Sequence, residues 1–367
     1  MNKQFYYITV FILFVILLGD SNPFAQTINL NGVNVDIAKI PLNGDLPLVI
    51  NSDLKSTTAE SQTPVLFFKT DNNHFFAKAT FVSSQLKSTL SSDPCGKIEL
   101  FDASGNMAWS KTTELPVLNC KISNDGKFCN TILRHWIVDE DDYELLIVLN
   151  ERGDEIFREM NVDCVYPNYN KDVIYYIKDI NGEHFLCFKD LLNSSNWNVP
   201  IKKEQWIRSV SDDGYNVILS SNDGLNSYGV NGTLLWNNSS LIGGQVSLSS
   251  DGKYLIKCVG LNNFSIYNNE DGTYISTIGN KTFNGELAHP YHSSYIRNSK
   301  DKFAVLFYIG PSKPNILAVF DIHANLLQNE TIVAKTPRSD FFCEINNDNT
   351  LRVYFDGLEV ASFKGHF

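Results

Sequence analysis

Four times in this chain a hairpin turn is followed, four residues on, by a large aromatic side chain: Gly105 by Trp109, Gly153 by Phe157, Asn193 by Trp197 and Gly232 by Trp236. Successive turns stand 48, 40 and 39 residues apart. About twenty residues after each comes a second mark, a tight polar turn between two apolar runs: ISNDGKF around Asp125, YPNYNKDV around Asn170, VSDDGYN around Asp213 and LSSDGKY around Asp251. Two turn signals held in phase define one repeat with room for about four short strands.

The stretch from Gln245 shows the unit. QVSLS meets the turn SDGK, YLIKCVG returns, FSIYN follows LNN, and YISTIG closes after NEDGT. Asp-Gly and Asn-Gly pairs, such as Asn181-Gly182 between VIYYIKDI and EHFLCF, supply the positive φ that tight hairpins need. The pattern predicts an all-β fold, a seven-bladed β-propeller of four-stranded antiparallel blades, with six blades as the alternative. The blades fall at 64–113, 114–160, 161–200, 201–238, 239–280, 281–333 and 334–367. The last shows three strand-like runs (FFCEI, TLRVYF, LEVASF), and INLNGVNVDIAKI is a strand-like segment in want of a partner. Pairing Val33–Ile40 beside Leu358–Phe363 closes the ring and removes an open sheet edge.

LFDASGNMAWS and YGVNGTLLWNN join an apolar strand, a turn with Gly and a following Trp. That pairing resembles the repeat of quinoprotein-type propellers, and LSSDGKYL resembles the WD-like repeat of the Tol-system propeller. The resemblance is to a repeat and covers most of the chain after residue 25. It implies that Trp109, Phe157, Trp197 and Trp236 dock one blade against the next. The later turns carry Ser276, Gln328 and Ala361 in place of the aromatic. Nothing matches a quinone-binding or peptidase site, and a structural repeat brings no activity with it.

Residues 1–25 read as a secretory signal: Lys3, an apolar run from Tyr6 to Leu18 too short to span a bilayer, then GDSNPFAQ with cleavage after Ala25. Residues 26–367 then form one propeller domain, placed in the periplasm or outside the cell with no membrane insertion after cleavage. The formal net charge of −11 argues against nucleic acid or an anionic membrane as partner. Seven cysteines (Cys95, Cys120, Cys129, Cys164, Cys187, Cys258, Cys343) include six inside apolar runs, where Cys behaves as a small hydrophobe. Mostly free thiols is the reading, with one or two bridges as the alternative.

In a propeller the short turns share one face, and the links between blades share the other with the links between strands two and three. Irregular loops on a rigid scaffold are where binding usually resides. Three such stretches stand out. GNKTFNGELAHPYHSS carries His289, Tyr291 and His292 near Glu286; a metal set is conceivable, but Pro290 denies the helix that would present both histidines on one side. NVPIKKEQWIRS carries Trp206 and Arg208 among lysines, a mixture suited to an acidic or sugar ligand, unless Trp206 merely starts an inner strand and packs inward. RHWIVDEDDYE carries Trp136 beside Asp139–Asp142, without the D-x-D-x-D-G order of a calcium loop. Arg338, in the link AKTPRSD, completes the set.

No nucleophile-base order, carboxylate pair, phosphate loop or cofactor motif can be argued. The chain reads as an exported non-enzymatic propeller that binds a protein or carbohydrate through its irregular face, with no cofactor and no metal. The alternative is a hydrolase or lyase with its site at the mouth of the central channel, and a quinoprotein-like redox role stands third.

Overall fold

The computed structural model describes residues 27–30, 33–36, 48–51, 64–70, 74–81, 96–134, 144–168, 171–193, 195–259, 263–311, 313–333, 341–355 and 358–365. The chain divides into two units, Met1–Lys39 and Ile40–Phe367. In the first, β1 (Thr27–Leu30) and β2 (Val33–Asp36) pair with each other as an antiparallel hairpin, Leu30 facing Val33. Residues 1–26, which include the stretch read from sequence as a secretory signal, lie outside the described residues.

The second unit is a succession of antiparallel meanders. β3 (Leu48–Asn51), β4 (Pro64–Lys69), β5 (Phe75–Phe81), β6 (Gly96–Asp102) and β7 (Met107–Thr113) form a five-stranded sheet in chain order. Four four-stranded sheets follow. They are β8 (Val117–Ile122), β9 (Phe128–Arg134), β10 (Glu144–Asn150) and β11 (Glu155–Met160), then β12 (Val162–Asn168), β13 (Val173–Ile180), β14 (Glu183–Asp190) and β15 (Asn196–Ile201). Next come β16 (Trp206–Val210), β17 (Val217–Ser221), β18 (Gly224–Tyr228) and β19 (Leu234–Asn238), and β20 (Val246–Leu248), β21 (Tyr254–Cys258), β22 (Phe264–Asn268) and β23 (Tyr274–Ile278).

The remaining strands share one larger sheet. β25 (Glu286–Arg297), β26 (Lys302–Tyr308), β27 (Asn315–Asp321) and β28 (Leu326–Ile332) make a meander, and β29 (Phe341–Ile345), β30 (Thr350–Phe355) and β31 (Leu358–Lys364) make another. They join where Ile296 and Arg297 of β25 run parallel to Cys343 and Glu344 of β29. β24 (Lys281–Phe283) pairs with the start of β25 through a turn at Asn284 and Gly285, both at positive φ. The stretch expected as a loop at Gly279–Ser294 is therefore largely strand. The reason was written in it: Asn-Gly between TF and EL is a hairpin turn, and Pro290 is tolerated at a site just before a strand irregularity.

Neighbouring sheets touch along particular strands. β4 touches β8, β12 touches β16, β16 touches β20, and β20 touches β25. Consecutive four-stranded meanders set side by side in this way are the construction of a β-propeller. Apolar cores lie between neighbouring sheets, as where Leu66, Ile98 and Trp109 pack with Cys120, Leu133 and Ile147.

Both turn signals have a physical basis that repeats. In the turn after the first strand, Ser123 Oγ donates to Asp125 Oδ1 (2.8 Å), which also accepts the Lys127 N–H, while Ser123 Oγ accepts the Phe128 N–H. Ser211 with Asp213 and Ser249 with Asp251 build the same box. In the turn before the fourth strand, Asp102 Oδ1 accepts the N–H groups of Ser104 and Asn106, and the Asn106 amide donates to Asp102 Oδ2. Asp321 does the same with His323 and Asn325. Short polar side chains that capture local N–H groups fix such turns without help from the core.

After this second turn the fourth strand carries one extra residue: Ala108, Ile156, Leu235, Ile275 and Leu327 have no facing partner. The bulge sets the next residue opposite the third strand, so Trp109 faces Leu100, Phe157 faces Val148 and Trp236 faces Ser227. Trp197 reaches the same place, opposite Phe188, without a bulge. Trp109 and Trp236 are buried; Phe157 and Trp197 are half-buried.

Candidate functional site

A second set of bulges marks the opposite end of the blades. Leu118 in β8, Asp163 in β12, Arg208 in β16 and Tyr291 in β25 are each skipped in the pairing with the second strand. The first three lie near the entry of a first strand, just after a link between sheets, and Tyr291 lies midway along β25. A bulge turns its residue out of the ladder and is a common way to re-aim a side chain at a rim or a site.

Arg208 shows the consequence. Its side chain is exposed and its guanidinium lies over the half-buried Trp206 ring, 5.0 Å from the centroid. No acidic side chain forms an ion pair with it among the described residues. Partial desolvation lowers its pKa, with the Cys164 thiol acting weakly in the opposite sense. Trp206 does start the inner strand β16, facing Ser220, and serves there as a platform for the cation.

Cationic and aromatic groups recur along the neighbouring first strands. Lys121 of β8 lies 5.5 Å from the centre of the Tyr166 ring of β12. Burial raises the pKa of the Cys164 thiol of β12, with the nearby Lys121 charge acting in the opposite sense. Arg297, at the end of β25, stacks 4.3 Å above Phe342 of β29. The buried Lys257 ammonium of β21 donates to the carbonyls of Ile242 (3.2 Å), Cys258 (3.0 Å) and Gly243. Burial, and then the nearby Arg208 charge, lower its pKa.

The histidines sit apart in the chain on β25. His289 faces Tyr308, and its Nδ1 lies 3.0 Å from Asn280 Oδ1. Tyr291 is the bulged residue and meets the His292 ring edge-on at 5.1 Å. Glu286 is ion-paired with Lys313. Trp136 and Arg338, and with them Asp139–Asp142, lie outside the described residues.

Lys121, Tyr166, Arg297 and Lys257 were not among the residues singled out from sequence. A signal was present: Lys121 and Arg208 each interrupt an apolar run two or three residues before a turn, and Arg297 ends one directly at a turn. Which way a strand side chain points depends on register, and a bulge shifts register by one.

No protein-family model matches the chain. No curated protein matches it either. Solved structures that it resembles include KlHsv2 with loop 6CD replaced by a Gly-Ser linker, at 11% identity and a TM-score of 0.49, covering 80% of this chain and 90% of that one. The C-terminal WD40 domain of Sif2 aligns at 13% identity and a TM-score of 0.46, over 84% of this chain and 83% of that one. The β-propeller domain of Myceliophteria thermophila Cps50 (Swd1) aligns at 10% identity and a TM-score of 0.42, over 84% of this chain and 95% of that one. The propeller assignment rests on the sheet topology itself.

Proposed function

We propose that the protein is an exported, non-catalytic β-propeller that holds a protein or carbohydrate partner on the face bearing the links between its sheets. Residues 1–25 serve as the signal peptide, and the mature protein works in the periplasm or outside the cell. In this reading there are seven blades, closed by the N-terminal strand near Val33–Ile40 beside Leu358–Phe363. The repeat keeps its likeness to quinoprotein-type and Tol-type propellers without their chemistry.

The observation that carries the reading is the Trp206–Arg208 stack: an exposed guanidinium on an aromatic platform, at a bulge, without an ion pair in the described structure, on a chain of net charge −11. An unpaired cation beside a ring face is suited to a carboxylate-bearing peptide or an acidic or ring-shaped sugar, held by charge-assisted hydrogen bonds and stacking. Tyr291 and His292, half-buried on β25, meet edge-on, and Tyr291 also packs against the core shared by β25–β31.

The test is a screen of purified protein against peptide and glycan arrays, followed by titration of the ligands retained. Arg208→Gln and Trp206→Ala should each weaken binding about tenfold or more, close to 1.4 kcal/mol, with the melting temperature unchanged. A ligand bound equally well by both variants places the site elsewhere and removes this assignment. Turnover of a retained ligand that His289→Ala abolishes would install the hydrolase or lyase reading instead.

A further inference from the structure

The sulfurs of Cys120 and Cys129 stand 3.1 Å apart on the adjacent strands β8 and β9, both about 1% exposed. That is closer than unbonded heavy atoms usually settle, ~3.5–4.0 Å between carbons. The remaining described cysteines lie in other sheets, on β12, β14, β21 and β29.

We propose that Cys120 and Cys129 are a disulfide-forming pair, oxidised by a low-molecular-weight disulfide as the sheet of β8–β11 assembles. The pairing register explains both why the bond can form and why it comes under strain. Cys120 faces Thr131 and Cys129 faces Ile122, so the two cysteines occupy a diagonal on one side of the hairpin. A diagonal is wider than a facing pair, ~7–8 Å between α-carbons, at the upper limit of what a disulfide bridges. The side chains already converge across it, and closing to a bond of ~2.05 Å requires about 1 Å more. The bulge at Leu118, two residues from Cys120, supplies strand irregularity where that movement is needed.

Timing follows from burial. In the folded protein the pair is sealed with Val117, Ile122 and Leu133 in the core between the first two sheets, and burial raises the Cys120 thiol pKa well above its ordinary value. The thiolate is the attacking species, so the sealed pair reacts slowly. During folding the hairpin brings the thiols together while water and oxidant still reach them. One thiolate attacks the small disulfide and forms a mixed disulfide, releasing one small thiol. The second cysteine, losing its proton, attacks the mixed disulfide and releases the other. Two electrons and two protons pass from the cysteine pair to the oxidant. A strained bond of this kind is readily reduced, so the pair follows the redox state in which the chain folds.

The experiment refolds denatured, reduced full-length protein with oxidised and reduced glutathione, quenches with acid and alkylating reagent, and maps the peptides by mass spectrometry without reduction. The expected result is a cross-linked peptide joining Cys120 to Cys129 in most molecules, with the other five cysteines alkylated. Recovery of both residues alkylated in the oxidised, folded fraction overturns the proposal. So does either residue bonded to a different cysteine. A parallel refolding of Cys129→Ser should leave Cys120 alkylated and create no substitute bridge; the wild-type map decides the matter if that variant does not fold.

Discussion

Gly272 rests on the face of the Trp236 indole: a β-carbon at position 272 would stand 3.0 Å from the ring. The glycine belongs to the turn between β22 and β23, and the tryptophan to β19 of the preceding sheet. The contact is fixed from a second side, because Trp236 Nε1 donates to the Asn269 carbonyl at 2.8 Å. Gly153 lies on Trp109 and Gly232 on Trp197 in the same relation. Phe157 meets the next sheet through Tyr176, with ring centres 5.8 Å apart.

Removing either half of this joint should loosen two sheets at once. Trp236→Ala is expected to lower stability by ~3–5 kcal/mol, from lost packing and the orphaned Asn269 carbonyl. Gly272→Ala meets both the ring and a backbone φ of 71°, and should cost about 1–2 kcal/mol. Chemical denaturation of the two variants checks both values. A Trp236→Ala protein as stable as wild type would remove the aromatic from the inter-sheet joint.

The turn at Asp102 predicts a feature of acid stability. The hydrogen bond from the Asn106 side chain, reinforced by backbone N–H donors, lowers the Asp102 pKa below its ordinary value. A carboxylate with a lowered folded pKa adds stability above its unfolded pKa, ~3.9, and loses it as pH falls through the folded value. Asn150 makes the equivalent backbone bonds without a charge in the sheet of β8–β11. Asp102→Asn should therefore lower the melting temperature modestly at pH 7 and flatten its fall below about pH 4. An unchanged acid limb would show that this turn does not contribute to it.

Tyr295 of β25 donates to Asp212 Oδ1, and Ser250 donates to Asp212 Oδ2 at 2.7 Å, so one carboxylate links three successive sheets. Tyr295→Phe should cost about 1.5–3 kcal/mol, the range of a hydrogen bond to a charged group. A double-mutant cycle with Asp212→Ala should be non-additive, because both changes remove the same bond. Additive losses would mean that the two residues act separately.

Lys257→Met tests the buried ammonium. The methionine fills most of the space yet leaves the carbonyls of Ile242, Gly243 and Cys258 without their shared donor, and a loss of ~2–4 kcal/mol is expected. Hydrogen exchange should rise first in residues 241–245. Protection unchanged in that link would show that its conformation is held by something other than the ammonium.

The sequence by itself determined the repeat, because both turns are local chemistry. Asp102 with Asn106 and Ser123 with Asp125 satisfy their own N–H groups within a few residues, so spacing alone locates the strands around them. The predicted sheet starts at 114, 161 and 201 fall within five residues of Val117, Val162 and Trp206, where the first strands of those sheets begin, whereas the sheet predicted from 64 begins earlier, with β3 at Leu48. The hairpin of β24 and β25 was also written in Asn284-Gly285, though the stretch was read as a loop. Tertiary structure decided what local chemistry leaves open. Whether Arg208 points into a sheet or out of it depends on a bulge, and the skipped residue is set by the packing of β16 against β12 and β20. The partners of Lys121 and Arg297 come from neighbouring strands whose alignment no single repeat contains. The apposition of Cys120 and Cys129 likewise depends on the register between β8 and β9, where a shift of one residue would turn the two sulfurs to opposite faces.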